Sequence, residues 1–187
     1  MKKIAIFASG SGSNFQSIAD NINQGTLDAQ VVLLVCDRPG AYVIERAKKE
    51  KIPTFTFSAK EYDSKQAFEI EILKWLKEYG AEFIVLAGYM RLIGETLLTS
   101  YPHKIVNIHP SLLPAFPGKD AIGQAFTAGV KVTGVTIHYV DEGMDTGPII
   151  DQKAVEVKED DTRESLQERI QKTEHWLYPD VLSRIFS

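Results

Sequence analysis

Short apolar runs of strand length alternate, through the N-terminal half of the chain, with stretches whose apolar residues recur every three or four positions. The runs occupy Ile4–Ala8, Val31–Cys36, Thr54–Phe57, Phe83–Ala87 and Ile105–Asn107. A recurrence of three or four positions is typical of an amphipathic helix. Strands that alternate with helices indicate βαβ units, so the pattern predicts an α/β fold, with a mostly parallel, twisted sheet and helices on both faces.

Three helices are predicted between these strands. The first follows strand one, the second spans Ala41–Glu50, and Asp63 can cap the third. Their apolar stripes contain Phe15, Ile18 and Ile22 in the first helix and Phe68, Ile72 and Leu76 in the third. Each stripe covers one face, so each helix is expected to pack one side against the sheet.

The C-terminal part of the chain has a different pattern. Two longer strands lie near Val132–Val140 and Ile149–Val157, and we expect them to be partly antiparallel. A final helix begins near Asp161, where Asp161 and Glu164 have capping-box spacing. Pro179 falls inside this helix and should kink or interrupt it. The apolar positions of the helix are Leu166, Ile170, Leu177, Val181 and Ile185.

Length and composition restrict the classes of protein that fit this pattern. A chain of 187 residues, with no repeat, low-complexity tract or long linker, suits a single domain over 1–187. The net charge of −4 offers no basic footprint for nucleic acid. No apolar run reaches about 18 residues, so no membrane span is expected.

The first residues and the single cysteine favour a cytoplasmic protein. The basic start at Lys2 leads into an apolar stretch that breaks at Ser9 without a cleavage pattern, so we interpret it as a strand and not as a signal peptide. Cys36 has no partner for an intrachain disulfide, which suits a reducing compartment. We expect Cys36 to pack as a small apolar residue in the second strand.

Candidate chemistry begins where the strand at Ile105 ends. Asn107 and His109 lie two positions apart, so on an extended chain they point to the same face, and Pro110 disfavours a helical conformation at His109. A carboxylate follows much later, at Asp145. An amide, an imidazole and a carboxylate are the groups needed to move an acyl group. On residues alone, however, Asn-x-His is more typical of a strand end, and Asp145 of a solvated loop.

A glycine-rich turn, S-G-S-G-S-N over 9–14, joins the first strand to the first helix. The N-terminus of a helix suits a phosphate, and glycine permits close approach. The turn lacks the lysine of a P-loop and the full G-x-G-x-x-G spacing, so dinucleotide binding is not supported. A purely structural turn, capped by Ser13 or Asn14, is the alternative on these residues.

Two other chemistries are disfavoured. The acids at Asp141, Glu142 and Asp145 lack EF-hand spacing and no His or Cys cluster joins them, so no metal site is predicted. Ser111 lies near His109, but nothing resembles a nucleophile elbow and i,i+2 spacing alone does not make a triad. The sequence therefore does not predict a serine hydrolase.

Five separated segments closely resemble the folate-dependent formyltransferases, in that family's order and almost from end to end. They are S-G-S-G-S-N at 9–14, L-A-G-Y-M-R at 86–91, N-I-H-P-S-L-L-P at 107–114, H-Y-V-D-E-G-M-D-T-G-P at 138–148, and E-H at 174–175 near Y-P at 178–179. The resemblance implies a Rossmann-like fold and direct transfer of a formyl group from 10-formyltetrahydrofolate to an amine. Among family members, those that formylate glycinamide ribonucleotide in purine synthesis are the most similar.

The resemblance also implies roles for individual residues. It assigns catalysis to Asn107, His109 and Asp145. It assigns the nucleotide substrate to Gly12, Ser13, Asn14, Gln171 and Glu174. It assigns folate to Lys65, Met90, Arg91, Leu92, Val140 and Asp141, with no metal. It further implies a nucleotide-binding half at about 1–100 and a folate-binding, catalytic half at about 101–187.

Several of these positions have simpler interpretations. Met90 and Leu92 could be core residues, and Arg91 a surface cation. Gln171 and Glu174 share a helix face that could be merely solvated. These structural interpretations compete with the implied roles.

The chain also departs from the family pattern. Lys65 stands where well-known members carry an arginine that meets the folate tail, and lysine lacks the bidentate fork. Segment 119–123 replaces histidines found in some members, so it receives no role. His103, His138 and His175 receive no catalytic role either.

Three alternatives stay open. The catalytic domain of methionyl-tRNA formyltransferase shares the N-x-H-x-S-L-L-P pattern, but it normally works with a nucleic-acid-binding domain, and this chain is acidic. A sugar-nucleotide formyltransferase fits the 9–14 turn less well. A nucleotide-binding module would not need Asn107, His109 and Asp145 together. The expected partners are small molecules, with neither nucleic acid nor membrane, and the expected state is a monomer or homodimer.

Overall fold

Seven strands and six helices make up the fold, and the computed structural model describes every residue from Met1 to Ser187. The strands are β1 Lys2–Ala8, β2 Ala29–Cys36, β3 Thr54–Thr56, β4 Phe83–Leu86, β5 Ile105–His109, β6 Val132–Tyr139 and β7 Ile149–Glu156. The helices are α1 Ser13–Asn23, α2 Tyr42–Lys49, α3 Lys65–Glu78, α4 Glu95–Ser100, α5 Ala121–Ala128 and α6 Arg163–Phe186, with a 3-10 turn at Ala59–Glu61.

All the strands belong to one sheet, in the order β3-β2-β1-β4-β5-β6-β7. The strands from β3 to β5 run parallel to their neighbours. By contrast, β6 pairs antiparallel with both β5 and β7. The predicted fold class is therefore confirmed, and every predicted strand is present.

The sheet is covered on both faces, because side chains alternate along each strand. In β1, Ile4 and Ile6 belong to the apolar cluster shared with α1, α2 and α6. Ala5 and Phe7 belong to the cluster shared with α3 and α4. All four side chains are fully buried. This double burial explains why β1 is apolar at successive positions instead of alternating with polar residues.

The strand order reverses between β1 and β4, since the chain passes from β1 to β2 and β3 on one side and then to β4 on the other. Such a switch leaves a crevice outside the carboxyl ends of the two strands, where ligands bind in open α/β sheets. Residues 9–12 follow β1, and residues 87–94 follow β4. The topology therefore places both segments at one crevice.

The structure differs from the prediction at one helix start and at the short helices. Ser64, not Asp63, caps α3, because the Ser64 Oγ accepts the N–H of Ala67 at 3.1 Å. Helices α4 and α5 and the turn Ala59–Glu61 have no counterpart in the prediction. Helix α4, with six residues, and the three-residue turn are too short to show a repeated apolar stripe.

Helix α6 starts close to the predicted position but with a different cap. Its capping box pairs Thr162 with Ser165, so the predicted pair of Asp161 and Glu164 is wrong. The helix also runs through Pro179 without interruption. A hydrogen bond from α1 explains why the proline is tolerated.

A hydroxyl on α1 replaces the hydrogen bond that the proline removes. Pro179 has no N–H, so the carbonyl of His175, four residues earlier, lacks its helical donor. The hydroxyl of Ser17 donates to that carbonyl. The helix therefore stays continuous, and α1 and α6 gain a polar contact at this point.

The single cysteine lies where its sequence context predicts. Cys36 is fully buried in β2 and packs in the cluster beneath α1, α2 and α6. Burial raises the pKa of its thiol. Among the helices, none has both the length and the apolar character needed to cross a bilayer.

Candidate active site

The crevice at the strand-order switch is an open cleft of about 690 Å³. Its walls come from the loops after β1 and β4, the end of β5, the start of α5, the loop between β6 and β7, and one face of α6. From the residues singled out in the sequence, the lining contains Gly12, Ser13, Asn14, Met90, Arg91, Leu92, Asn107, His109, Val140, Asp145, Gln171 and Glu174.

The amide, the imidazole and the later carboxylate meet in this cleft. His109 Nδ1 lies 3.6 Å from Asp145 Oδ2, and the two side chains are 7% and 12% exposed. They come together because β6 pairs with β5 and the following loop turns back toward the end of β5. Asn107 and His109 both line the cleft, as the strand alternation predicts.

The backbone fixes one nitrogen of His109. Its Nε2 lies 2.9 Å from the carbonyl oxygen of Phe116. A carbonyl can only accept, so Nε2 carries a proton and Nδ1 is the nitrogen that faces Asp145. Phe116 has a φ of 52°, which is unfavourable for a bulky residue. The strained residue therefore supplies the contact that orients the ring.

Ser111 is part of the support for this loop. Its side chain is fully buried, and its hydroxyl donates to the carbonyl of Ala115 at 2.5 Å and lies 3.3 Å from that of Phe116. The hydroxyl of Thr136 on β6 in turn donates to the Ser111 carbonyl at 2.7 Å. These contacts commit the serine hydroxyl to backbone carbonyls, in agreement with the prediction that Ser111 is not a nucleophile.

Asp145 is held by the loop that follows β5. Its Oδ2 accepts the N–H of Gly118 at 2.8 Å. Its own φ of 57° is one that aspartate adopts more readily than most residues. At Gly147, a Cβ would collide with the carbonyl of Tyr139, so this turn requires glycine. The Asp145 side chain is therefore mostly buried against the cleft, although the neighbouring loop residues Glu142 and Met144 are exposed.

His138 also belongs to this polar group, although the sequence assigns it no role. Its Nδ1–H donates to the carbonyl of Tyr139 at 2.8 Å, which leaves Nε2 to accept from the Asn107 amide at 3.3 Å. Burial lowers the pKa of His138, with the Tyr139 carbonyl and Asp145 opposing the change. The ring is therefore neutral at pH 7. Asn107 directs one N–H to it and keeps the other for a ligand.

The pairing register between β5 and β6 is the feature that identifies His138 as part of the site. In the β5–β6 pair, His138 stands directly opposite Asn107. Cross-strand partners of an antiparallel pair have side chains on the same face. Period-two alternation alone cannot identify this partner, because a shift of one residue would turn His138 to the other face.

The turn after β1 has the geometry of an anion-binding helix start. Gly12 is the N-cap of α1, with a φ of 80° and no side-chain cap. A Cβ at Gly12 would lie 2.5 Å from Val43 Cγ2, so this position requires glycine. Ser13 and Asn14 lie inside the helix, which makes the prediction of either residue as the cap wrong. The first N–H groups of α1 thus stay available to an anion.

A buried carboxyl group lies near this turn. Glu174 on α6 is a buried residue of the cleft wall. Burial raises its pKa to about 7, with a hydrogen bond from Asn14 opposing the shift. The Oδ1 of Asn14 is itself buried without a donor. The pair therefore suits a ligand that brings hydroxyl or amine hydrogens. Gln171 lines the cleft one turn earlier.

An apolar wall stands on another side of the cleft. Met90 and Leu92 are 58% and 44% exposed, so their interpretation as core residues is wrong. Val140 lines the cleft with them. Arg91 is not a free surface cation, because its Nε donates to Asp37 Oδ2 at 2.8 Å. This wall offers flat, exposed apolar area to a ligand ring.

The structure places Lys65 and Asp141 outside the cleft lining. The ammonium of Lys65 donates to the carbonyl of Leu92 at 2.9 Å. Asp141 accepts the hydroxyl of Thr146 at 2.7 Å and the N–H of Gly143 at 2.9 Å, and these bonds lower its pKa. Each side chain therefore holds a segment that contributes to the lining.

Segment 119–123 contributes to the cleft even though the sequence assigns it no role. Residues 118–122 line one side. Asp120 has a φ of 53° and pairs with Arg163 at the start of α6. The family pattern could not reveal this contribution, because the chain departs from that pattern here.

The arrangement is suited to the transfer of an acyl group. An amide N–H and an imidazole can stabilise an oxyanion, and a carboxylate nearby can accept a proton. No group of three or more His, Cys, Asp or Glu side chains is placed to hold a metal ion. The helix start and the apolar wall lie in the same cleft, so two different ligands can meet at the three polar groups.

Fold and site together define a Rossmann-like acyl-group transferase. The chain belongs to the formyl transferase family, whose profile matches residues 2–182. It is 60% identical over 185 residues to phosphoribosylglycinamide formyltransferase of Bacillus subtilis (strain 168), covering 99% of this chain and 95% of that protein. Glycinamide ribonucleotide transformylase 1 from Geobacillus kaustophilus has a crystal structure that matches with a TM-score of 0.98, at 63% identity over 100% of both chains. The trifunctional purine biosynthetic protein adenosine-3 of Drosophila melanogaster is 40% identical over 98% of this chain and 14% of its own length.

Proposed function

We propose that this protein is a phosphoribosylglycinamide formyltransferase. It transfers the formyl group of 10-formyltetrahydrofolate to the glycinamide amine of glycinamide ribonucleotide, in purine synthesis. The observation that carries the proposal is the meeting of Asn107, His109 and Asp145 in a cleft that also contains a free helix start and an apolar wall. Likeness to the Bacillus subtilis enzyme over 95% of its length supports the same substrate.

The nucleotide substrate binds on the side of α1 and α6. Its phosphate accepts from the free N–H groups after Gly12, at Ser13 and Asn14, where the helix dipole also favours an anion. Its ribose hydroxyls meet the acceptors of Asn14 and Glu174. Gln171 provides a neutral amide on the same side.

The formyl donor binds on the side of β4 and the loop between β6 and β7. Its pterin ring packs against Met90, Leu92 and Val140, which line the cleft with apolar atoms. The backbone beside Arg91 offers hydrogen-bonding groups to the ring edge. The formyl carbon then lies toward Asn107, between the donor ring and the nucleotide.

The glycinamide nitrogen attacks the formyl carbon, and the carbonyl electrons move to oxygen to give a tetrahedral intermediate. Asn107 directs its free N–H to this oxyanion, because its other N–H is held by His138. His109, in its protonated form, provides a second donor. The loss of one such donor typically lowers the rate about 10²- to 10³-fold.

Collapse of the intermediate breaks the bond between the formyl carbon and N10. The attacking amine loses one proton and N10 gains one, so the reaction is balanced without a covalent enzyme intermediate. The Asp145 carboxylate accepts the proton from the amine, directly or through a water molecule. His109 Nδ1, 3.6 Å from Asp145, is near enough to share in the transfer.

We further infer that residues 1–187 act as one catalytic domain and that the enzyme works in the cytoplasm as a monomer or homodimer. The net charge of −4 supports small-molecule partners in preference to nucleic acid. The lone cysteine supports a reducing compartment.

A substrate comparison tests the proposal. The protein is incubated with a 10-formylfolate analogue and offered glycinamide ribonucleotide, charged initiator tRNA or an amino-sugar nucleotide. We expect formylation of glycinamide ribonucleotide alone. Formylation of only the tRNA or the sugar would contradict the assigned substrate. No transfer to any acceptor would favour a nucleotide-binding module.

A further inference from the structure

The apolar cleft wall lies on a segment that regular secondary structure does not hold. Residues 90–94 belong to no helix or strand, and none of their N–H groups donates to a backbone carbonyl. Yet the segment keeps Met90 and Leu92 exposed toward the cleft. Apolar side chains on a loop stay in such a position only if other contacts fix the backbone.

One buried carboxylate fixes the first end of the segment. The N–H of Met90 donates to Ser9 Oγ at 2.9 Å, and the Ser9 hydroxyl donates to Asp37 Oδ1 at 2.5 Å. The other oxygen of Asp37 accepts from Arg91 Nε at 2.8 Å. The Asp37 side chain is 2% exposed. Both of its oxygens are therefore committed to holding residues 90 and 91.

A second buried carboxylate fixes the other end. Glu69 on α3 is 1% exposed, and its Oε2 accepts the N–H of Gly94 at 2.8 Å. A Cβ at Gly94 would lie 2.5 Å from Glu69 Oε1, so the backbone passes directly over the carboxylate. On the same helix, Lys65 donates to the Leu92 carbonyl at 2.9 Å.

We propose that Asp37 and Glu69 are positioning residues for the donor side of the cleft, and this inference rests on the proposed function. Neither residue lines the cleft. A carboxylate buried to this degree is costly unless hydrogen bonds satisfy it, and here those bonds hold the two ends of segment 90–94. Lys65 belongs to the same support and contributes to folate binding through the Leu92 carbonyl.

The test compares the Michaelis constants of the two substrates. Asp37→Asn replaces one of the two accepting oxygens with an amide N–H₂, which cannot accept from Ser9 or Arg91. Glu69→Ala removes the acceptor for the Gly94 N–H. Each change should raise the KM of a 10-formylfolate analogue about tenfold, the size expected for one lost bond to a charged group. The KM of glycinamide ribonucleotide should change less than about twofold.

Three further variants on α3 complete the test. Glu71→Ala removes a carboxylate that only pairs with exposed Lys74, so both KM values should stay unchanged. Glu69→Gln keeps an oxygen for the Gly94 N–H, and should recover most of the folate affinity. If Glu69→Ala does not fold, the comparison of Asp37→Asn with Glu71→Ala decides. Lys65→Met removes the Leu92 contact together with a positive charge near Glu69 and should raise the folate KM by itself.

Unchanged folate KM values in folded variants, or a parallel rise in both KM values, would overturn the inference. Calorimetric titration with a non-transferable folate analogue separates this result from a failure of the proposed function. If the unaltered protein does not bind the analogue, the proposed function itself is wrong. If it binds and the variants bind equally well, only the positioning role is wrong.

Discussion

The carboxylate of Asp145 lies in the cleft beside two histidines. One of its oxygens accepts the N–H of Gly118 at 2.8 Å, and its other neighbours are the rings of His109 and His138. No lysine or arginine pairs with it. A carboxylate held in place by a backbone N–H, beside a histidine and without a permanent cation, fits a role in proton transfer better than a purely structural role.

Replacement of Asp145 by asparagine should separate chemistry from binding. The amide keeps an oxygen for Gly118 but cannot take a proton, so the turnover number should fall at least about 100-fold. The affinity for glycinamide ribonucleotide should stay within about twofold, since the α1 start is untouched. Single-turnover kinetics and calorimetric titration measure the two quantities. Glu142→Gln, at an exposed position of the same loop and outside the lining, is the matched control and should change neither quantity; an equal loss of turnover and affinity in Asp145→Asn would contradict the assigned role.

Glu174 should make the stability of the protein depend on pH. Burial raises its pKa from 4.5 to about 7, so between these values the folded protein keeps a proton that the unfolded chain has lost. Stability contributed by this group is complete below pH 4.5 and is lost as the pH rises through 7. The shift corresponds to about 3 kcal/mol. Because glutamine does not titrate, Glu174→Gln should gain this much relative to the unaltered protein over that range.

Urea unfolding at several pH values checks the Glu174 prediction. The difference in unfolding free energy between Glu174→Gln and the unaltered protein should grow through the window from pH 4.5 to about 7 and then level off. Glu168→Gln, at an exposed position of the same helix, serves as the control. A difference that is constant with pH would show that the buried carboxyl does not titrate in this window.

At the scale of secondary-structure elements, the contact between α1 and α6 can be tested quantitatively. The Ser17 hydroxyl on α1 replaces the N–H that Pro179 lacks in α6. Ser17→Ala leaves the His175 carbonyl without a donor and should lower the unfolding free energy by about 1–2 kcal/mol. In a Pro179→Ala background the restored N–H can bond that carbonyl within the helix, so Ser17→Ala should cost less than about 0.5 kcal/mol there. A double-mutant cycle by chemical unfolding measures the difference. Equal costs in both backgrounds would mean that the hydroxyl does not substitute for the missing N–H.

The sequence predicts best those elements whose hydrophobic pattern reflects which residues are buried. β1, β2 and β4 are buried enough to form continuous apolar runs, and the α1 and α3 stripes show which faces pack. Helix caps are predicted less well, since Asp63 and Ser64 are both good capping residues and only the local geometry selects between them. Helix α4, with six residues, has too few turns for a periodic signal.

In the candidate site, too, some residues could be predicted from the sequence and others only from the structure. Asn107 and His109 could be paired from strand alternation, whereas Asp145 required the family resemblance because it lies in a distant loop. His138 could not be found without the register of β5 and β6. Lys65 fits its family position in sequence, but the Leu92 carbonyl takes its ammonium, and only coordinates reveal that contact.

Across the whole molecule, the two ligand sides do not follow the two halves of the chain. The apolar wall at Met90 and Leu92 lies in the N-terminal half that the resemblance connects with the nucleotide. Glu174, which the resemblance connects with the nucleotide, lies near the C-terminus. The strand-order switch is what joins them, because it gathers loops from both halves at one edge of the sheet. Ligands that bridge the cleft should therefore stabilise the whole fold.

Because a bound ligand stabilises the folded protein, the phosphate site can be tested without measuring catalysis. A ligand at 100 times its dissociation constant raises the unfolding free energy by about 2.7 kcal/mol, so glycinamide ribonucleotide and a folate analogue should each do so. In Gly12→Ala, the new Cβ meets Val43 at a φ of 80°. The variant should therefore lose stabilisation by the nucleotide and keep that by folate. Gly25→Ala is the matched control, because it has the same φ of 80°, a Cβ there meets nothing within 4 Å and it lies outside the cleft lining; it should respond to both ligands. Unfolding with each ligand, compared within each variant, measures the effect; full nucleotide stabilisation of Gly12→Ala would place the phosphate elsewhere.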